Sequence, residues 1–435
     1  MRSAALFFEL LLLLPITLVR PFVGVILWSW FSFMNPHRLV YGGIALAVPW
    51  AMLIFFGTLF GCLAAREPKR LPVNAFTILV ALFLVMITIT TAFALGPWDD
   101  VLNKYEIVAK SFLFLLITCA LLSSRERIHA LVWVLVLSLA FFGIKGGGFT
   151  LLGGGVNKVF GPESTMIGDN NHLATALLVC LPLMNYLRME SRHPIMRYGI
   201  TAAMVLTLFA VVGSYSRGAL LALGAVSAYF WWKSPGKIVS GALLVIAVAT
   251  AIMFMPESWM DRMHSIQDYN ADDSAMGRLD IWSVAWQMAI QRPLVGGGFF
   301  ATYTQPVVNM FVPGGTPRAV HSIWFEVLGE HGFPTFFVWF GMTIAGAVYA
   351  RRAIKLATGV PGLEWSVNLA RMIQVSIIAY LVGGTFLSLC YWDYYFTMLA
   401  AAVAVYEVVK ATIPQPTVAA RLGARAMPAR MALSR

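Results

Sequence analysis

Charge is what this chain has least of. Only 12% of its 435 residues are Asp, Glu, Lys or Arg, about half the share of a soluble domain, which excludes an ordinary water-soluble fold. Cysteine is scarce as well. Cys62, Cys119, Cys180 and Cys390 all lie inside apolar blocks, so they report neither a disulfide framework nor a metal site. The sequence contains no Walker loop, no dinucleotide fingerprint and no zinc-ligand spacing, and no cofactor is expected. The net charge of +11 is not arranged as a basic stripe interleaved with aromatics, so nucleic acid is not an expected partner. No repeat of solenoid period occurs. No small-x-small cleavage site follows the first apolar run, so that run is not read as a cleaved signal.

What is abundant is hydrocarbon. Hydrophobic residues make up 59% of the chain, and mean hydropathy is +0.77. They fall in blocks near the roughly 20 residues that a helix needs to cross a bilayer. The fold class is therefore an all-α polytopic membrane protein. Spans are expected near 39–63, 73–95, 107–122, 128–143, 171–187, 196–212, 215–231, 237–255, 332–350, 372–389 and 396–410. Residues 5–34, broken by Pro15, Arg20 and Pro21, form one kinked span or two half-helices, giving about 12 transmembrane helices. Residues 1–410 read as one integral membrane domain and 411–435 as a basic, disordered tail. Alternate loops sort by charge. One side collects 20 of the 31 basic residues, including Arg66, Arg125, Arg192, Lys233 and Arg351; the other has 11 basic and 14 acidic residues. Lysine and arginine mark the cytoplasmic face, which places both termini inside.

The outer face owns the longest polar segments, the glycine-rich 144–170 and the large loop 256–331. Within the latter, 277–293 has apolar residues at helical spacing (Leu279, Trp282, Ala285, Trp286, Ala289) and reads as an amphipathic helix at the membrane boundary. The stretch "GGGF" occurs at 146–149 and at 296–299, where glycine lets backbone turn sharply or approach a ligand. Arg217 sits beside apolar sequence, where a guanidinium costs a few kcal/mol unless paired or in a cavity. Ser214 or Ser216 is placed to cap a helix there, aiming amides and Arg217 at an anion; snorkelling is the alternative. Arg278 opens the amphipathic helix after the acidic "DYNADDSAM" (268–276), where a salt bridge to Asp272, Asp273 or Asp280 is the alternative. Lys145 and Lys158 add positive charge to the same face. His321, outside a membrane entry, has the near-neutral pKa suited to accepting a hydroxyl proton, and Glu326 and Glu330 are placed to orient it. "NNHLA" (170–174) is either a cap or a ligand contact. "YWDYY" (391–395) reads as an aromatic belt, with Asp99, Asp100 and Asp393 as carboxylates for a metal-dependent alternative.

An outward-facing enzyme meets no ATP, so the substrate must carry its own energy. A lipid-linked diphosphate does so. Arginines stabilise its departure without a metal, and a histidine activates the acceptor hydroxyl. The stretches "SRGALLAL" (216–223), "GRLDIW…PLVGGGF" (277–299) and "HSIWFEVLGEHG" (321–332) resemble the signature blocks of the O-antigen ligase and polymerase superfamily. Residues 20–42 and "KGGGFTLLGGG" (145–155) are similar to a branch of O-glycosylation ligases associated with exosortase A. The resemblance implies a GT-C-like helical fold and metal-independent, inverting glycosyl transfer at the periplasmic face of the bacterial inner membrane. It implies that Arg217 and Arg278 bind diphosphate and that His321 activates the acceptor. Ser216, Lys145, Lys158 and Glu330 are the further candidates for substrate contact. The family often has asparagine where this chain has Ser322. The implied donor is an undecaprenyl-diphosphate-linked glycan; the implied acceptor is lipid A-core, protein or another glycan. A polymerase, or a transporter of lipid-linked sugar, remains the alternative.

Overall fold

Helix starts follow the capping chemistry of the sequence. The computed structural model describes residues 2–40, 47–264 and 273–413, and among them it contains sixteen α-helices and no strand. The first two, α1 (Arg2–Val19) and α2 (Pro21–Met34), are separated at Arg20. Pro21 opens α2 at a position where its missing N–H is no loss. Helices α3 (Trp50–Ala64), α4 (Ala75–Ala92), α5 (Trp98–Leu121), α6 (Arg125–Leu152), α7 (Asn170–Glu190), α8 (Pro194–Val212), α9 (Arg217–Lys233) and α10 (Lys237–Phe254) follow. The shorter α11 (Glu257–His264), α12 (Asp273–Gln291) and α13 (Gln305–Phe311) precede α14 (Ile323–Ala357), α15 (Glu364–Gly384) and α16 (Asp393–Thr412). Asn74 caps α4 by accepting from the Thr77 amide at 3.1 Å, and Ser124 caps α6 by accepting from the Arg127 amide at 3.4 Å. Each cap satisfies an amide that has no partner within its own helix.

Among the described residues, eight helices are long and apolar enough to cross a membrane: α4, α6, α7, α8, α10, α14, α15 and α16. The chain is an all-α polytopic membrane protein. Every span expected beyond residue 39 contains a helix, and the stretch 5–34 divides into two. The expected total of about 12 also counted α3 and α9, which are 15 and 17 residues long, and α5, which carries Asp99, Asp100, Lys104, Glu106 and Lys110. The expected tail is outside the described residues beyond Ile413.

The segment expected as a glycine-rich outer loop from 144 is helix as far as Leu152. Its glycines serve packing. A Cβ on Gly147 would run into the backbone carbonyl of Leu206 on α8, so small residues let the two helices approach closely. The first "GGGF" is therefore a helix contact and not a ligand loop, and Lys145 is exposed on α6.

The second "GGGF" does something different. Helix α14 is broken at Gly332, whose φ of 74° is left-handed, just before Pro334. The break frees the carbonyls of Gly329 and Glu330, which accept from the amides of Gly297 at 2.8 Å and Gly298 at 2.7 Å. The large loop is thereby stitched to the first half of α14. Helix α12 packs on the same half, with Ile281, Val284, Ala285, Met288 and Ala289 buried. That face is rotated from the expected one, because Leu279 and Trp286 are exposed.

At one end of the bundle the basic loops are tied together. Arg127 pairs with Glu67, and Arg125 lies 3.7 Å from Glu190, which also accepts from Asn368 at 3.2 Å. Helix α7 runs from the opposite end to this one and is buried along most of its length. "YWDYY" is not an exposed belt. Tyr391, Trp392, Tyr394 and Tyr395 are all buried, and Asp393 accepts from the Ser32 hydroxyl at 2.6 Å.

Between α5, α14 and the 299–303 segment lies a buried ionic cluster. Lys104 bridges Glu326 at 3.2 Å and Glu330 at 3.1 Å, and Glu330 also accepts from the Tyr391 hydroxyl at 2.6 Å. Removing one member of a buried pair leaves uncompensated charge and costs about 3–5 kcal/mol. Lys104→Met is therefore expected to lower the melting temperature of the detergent-purified protein sharply. An unchanged melting temperature would show that the two carboxylates are compensated elsewhere.

Candidate functional site

The sequence Ser214-Tyr215-Ser216 makes the corner between α8 and α9. Tyr215 takes a left-handed φ of 60°, and its hydroxyl donates to the Gly155 carbonyl at 2.8 Å. The Ser214 carbonyl accepts from the Asn170 side chain at 2.6 Å. Ser216, rather than Ser214, is the helix cap, accepting from the Ala219 amide at 3.2 Å. Arg217 is consequently the first residue of α9, where the helix dipole favours an anion.

This corner forms one wall of a cavity of about 340 Å³, within the size range of small-ligand pockets. Arg217 shares it with Arg278 of α12 and Arg262 of α11. Ser216, Tyr215 and Asn171 contribute polar lining, while Leu221, Leu279, Trp282, Phe386 and Leu387 make apolar walls. No carboxylate among the described residues lines it. Two of the three arginines were legible in the sequence. Arg262 was not, because nothing in "ESWMDRMH" distinguishes it until the chain folds. Arg278 differs from expectation in its setting: α12 begins at Asp273, so Arg278 lies within the helix and not at its start. Asp272, one of its expected partners, is outside the described residues.

His321 adjoins the cavity through its neighbours. The indole N–H of Trp282 donates to the Val320 carbonyl at 2.8 Å, and the His321 amide donates to the Ser388 hydroxyl at 2.9 Å. These bonds hold His321 in a left-handed φ of 49°. Its Nδ1 is buried and has no hydrogen-bond partner among the described residues. Burial first, then the positive fields of Arg278 and His172, hold the imidazole below its ordinary pKa. A neutral imidazole is the form that accepts a proton.

The ring of His172 lies 6.3 Å from that of His321. "NNHLA" does not itself supply the cap of α7. Asp169 caps α7 by accepting from the Asn171 amide at 2.8 Å, while Asn171 lines the cavity. The other expected contacts separate. Glu330 is buried in the Lys104 cluster, with its second bond to Tyr391, and is not part of the cavity. Glu326 is likewise turned to Lys104. Lys158 is exposed with its ammonium 5.9 Å from the centre of the Tyr215 ring, at the edge of the corner. Lys145 is elsewhere on α6. Asp99 and Asp100 are exposed in the first turn of α5.

The comparison with protein families bears on the stretch that builds this cavity. Residues 202–340 match the O-antigen ligase family. This segment is similar to the O-antigen ligase domain. It contributes Arg217, Arg262, Arg278 and His321, and the family it matches is described as O-antigen ligase. Residues 1–192, which supply α7 with Asn171 and His172, match a family of unknown function. No curated protein matches the chain.

The cavity sets three arginines beside apolar walls. Inorganic pyrophosphate is expected to raise the melting temperature of the purified protein, with the effect weakening as salt increases. Arg262→Ala should reduce pyrophosphate affinity about 10-fold or more, since a hydrogen bond to a charged group contributes about 1.5 kcal/mol or more. Unaltered affinity would place Arg262 outside the anion contacts.

Proposed function

We propose that this protein transfers a glycan from a polyprenyl diphosphate carrier to an acceptor hydroxyl at the outer face of the bacterial inner membrane. The observation that carries the reading is the convergence of Arg217, Arg262 and Arg278, from three separate helices, on one cavity with apolar walls. A diphosphate joined to a hydrocarbon chain is the ligand class that needs both. Guanidinium forks match phosphate oxygens in a bidentate manner, and Leu221, Leu279 and Phe386 suit the first isoprene units. The outward orientation rests on charge: the basic loops gather at the other end of the bundle, and such loops stay in the cytoplasm.

In this reading His321 takes the proton of the acceptor hydroxyl as its oxygen attacks the anomeric carbon. The bond from that carbon to the diphosphate breaks on the opposite side, with inversion. The arginines stabilise the charge that develops on the leaving group, so the step requires no metal. Undecaprenyl diphosphate is the proposed carrier. Lipid A-core, a protein or another glycan is the proposed acceptor, and the resemblance to O-glycosylation ligases at residues 20–42 keeps protein among them.

The test is transfer from a lipid-linked glycan to candidate acceptors by the purified protein in EDTA. One labelled product is expected; a ladder of products would indicate a polymerase, and unchanged glycan would contradict transfer. Arg217→Lys and Arg278→Lys should each lose most of the activity, because a point charge does not replace a fork. Wild-type turnover in the Arg217→Lys protein would reduce that residue to a snorkelling side chain.

His321 provides the second test. Because its folded-state pKa is depressed, it stays neutral at lower pH than a free histidine, so the acid limb of the rate should fall below about 6.5. His321→Ala should abolish that limb and cost about 10²–10⁴-fold in transfer while donor binding survives. Loss of donor affinity and melting temperature together, with the limb intact, would make His321 a loop anchor.

A further inference from the structure

Two imidazoles are neighbours where the reading above uses one. His172 stands at the start of α7, its Nδ1 3.3 Å from Asp169 Oδ1. An ionised carboxylate accepts only, so Nδ1 carries the hydrogen and Nε2 presents a lone pair. The two ring centres are 6.3 Å apart. Direct nitrogen-to-nitrogen bonding would bring the centres to about 5 Å, whereas one bridging oxygen allows up to about 8 Å. The separation suits one hydroxyl oxygen between the rings. The charge environments of the two rings are opposite. Arg278 is the leading charged neighbour of His321, and Glu326 and Asp169 only partly offset it and His172. His172 has a carboxylate in contact. Against the burial that raises it, hydrogen bonds from His172 and Asn171 hold Asp169 below the usual carboxylate range.

We propose that His172, oriented by Asp169, is the proton outlet for His321. The inference rests on His321 acting as the base for the acceptor. The acceptor O–H bond breaks as the new bond to the anomeric carbon forms, and the electron pair of the old carbon–oxygen bond leaves with the diphosphate. The proton passes to His321; once the glycosylated product leaves, a water takes the place of the acceptor oxygen between the rings and carries it to Nε2 of His172. The resulting imidazolium lies against Asp169 instead of beside Arg278, where a second positive charge is disfavoured. From His172 the proton leaves to water, which resets both rings for the next turnover. His172 acts through His321 and is a positioning residue.

Asp169→Asn is the informative variant, because asparagine caps a helix as well as aspartate does while removing the charge. With the cap kept, melting temperature and donor affinity should stay at wild-type values, and transfer should slow about 10- to 100-fold. His172→Gln should show the same loss. The double variant should be no slower than either single one, because both residues serve one proton path. Full activity in Asp169→Asn, or additive losses in the double variant, would overturn the relay. Donor affinity falling with activity would overturn it as well. An inert His172→Gln beside an inactive His321→Ala removes only this inference, whereas an active His321→Ala removes the base on which it stands.

Discussion

Three guanidinium groups share one cavity, and the rest of the structure is arranged around that fact. A guanidinium beside apolar walls is costly unless it is paired or lies in a cavity. A chain of this hydropathy has many places to put an arginine at less cost, in the loops that already hold most of its basic residues. Here Arg217, Arg262 and Arg278 come from three separate helices, α9, α11 and α12. A diphosphate head group is the proposed ligand of these side chains, and the apolar flank is the proposed seat of the chain attached to it.

Holding such a site requires a rigid frame, which the membrane helices supply. The corner at Tyr215 is pinned by the Gly155 carbonyl and by Asn170. The large loop is pinned by amides that reach the carbonyls freed at the α14 break. Trp282 spans the two tasks, since it lines the cavity and fixes the chain just before His321. The Lys104 cluster anchors the first half of α14 from the other side. These contacts place the base candidate relative to the arginines, and a displacement of about 1 Å at a reacting centre costs on the order of 10²-fold.

Hydropathy made the helical architecture legible, because a span must satisfy its backbone internally and reads as a continuous apolar run. Arg217, Arg278 and His321 stood out as charge or imidazole beside such runs, and Ser216 as a capping hydroxyl. What the sequence concealed were contacts between distant segments. Arg262 lies in a short polar helix and gains meaning only when that helix folds back on the corner. Glu330 follows His321 by nine residues, which suggests a partnership, yet its carboxylate is turned to Lys104. Lys145 sits in a glycine run that resembles a loop, because close packing and sharp turning select the same residue type. The buried face of α12 was misread by part of a turn, since its partner surface is the broken half of α14.

The most direct test of the account is a structure of the detergent-solubilised protein bound to undecaprenyl diphosphate. The account predicts the two phosphates among Arg217, Arg262 and Arg278, with the first isoprene units along Leu221, Leu279 and Phe386. Phosphates found outside this cavity, with the three arginines making no contact to them, would contradict it.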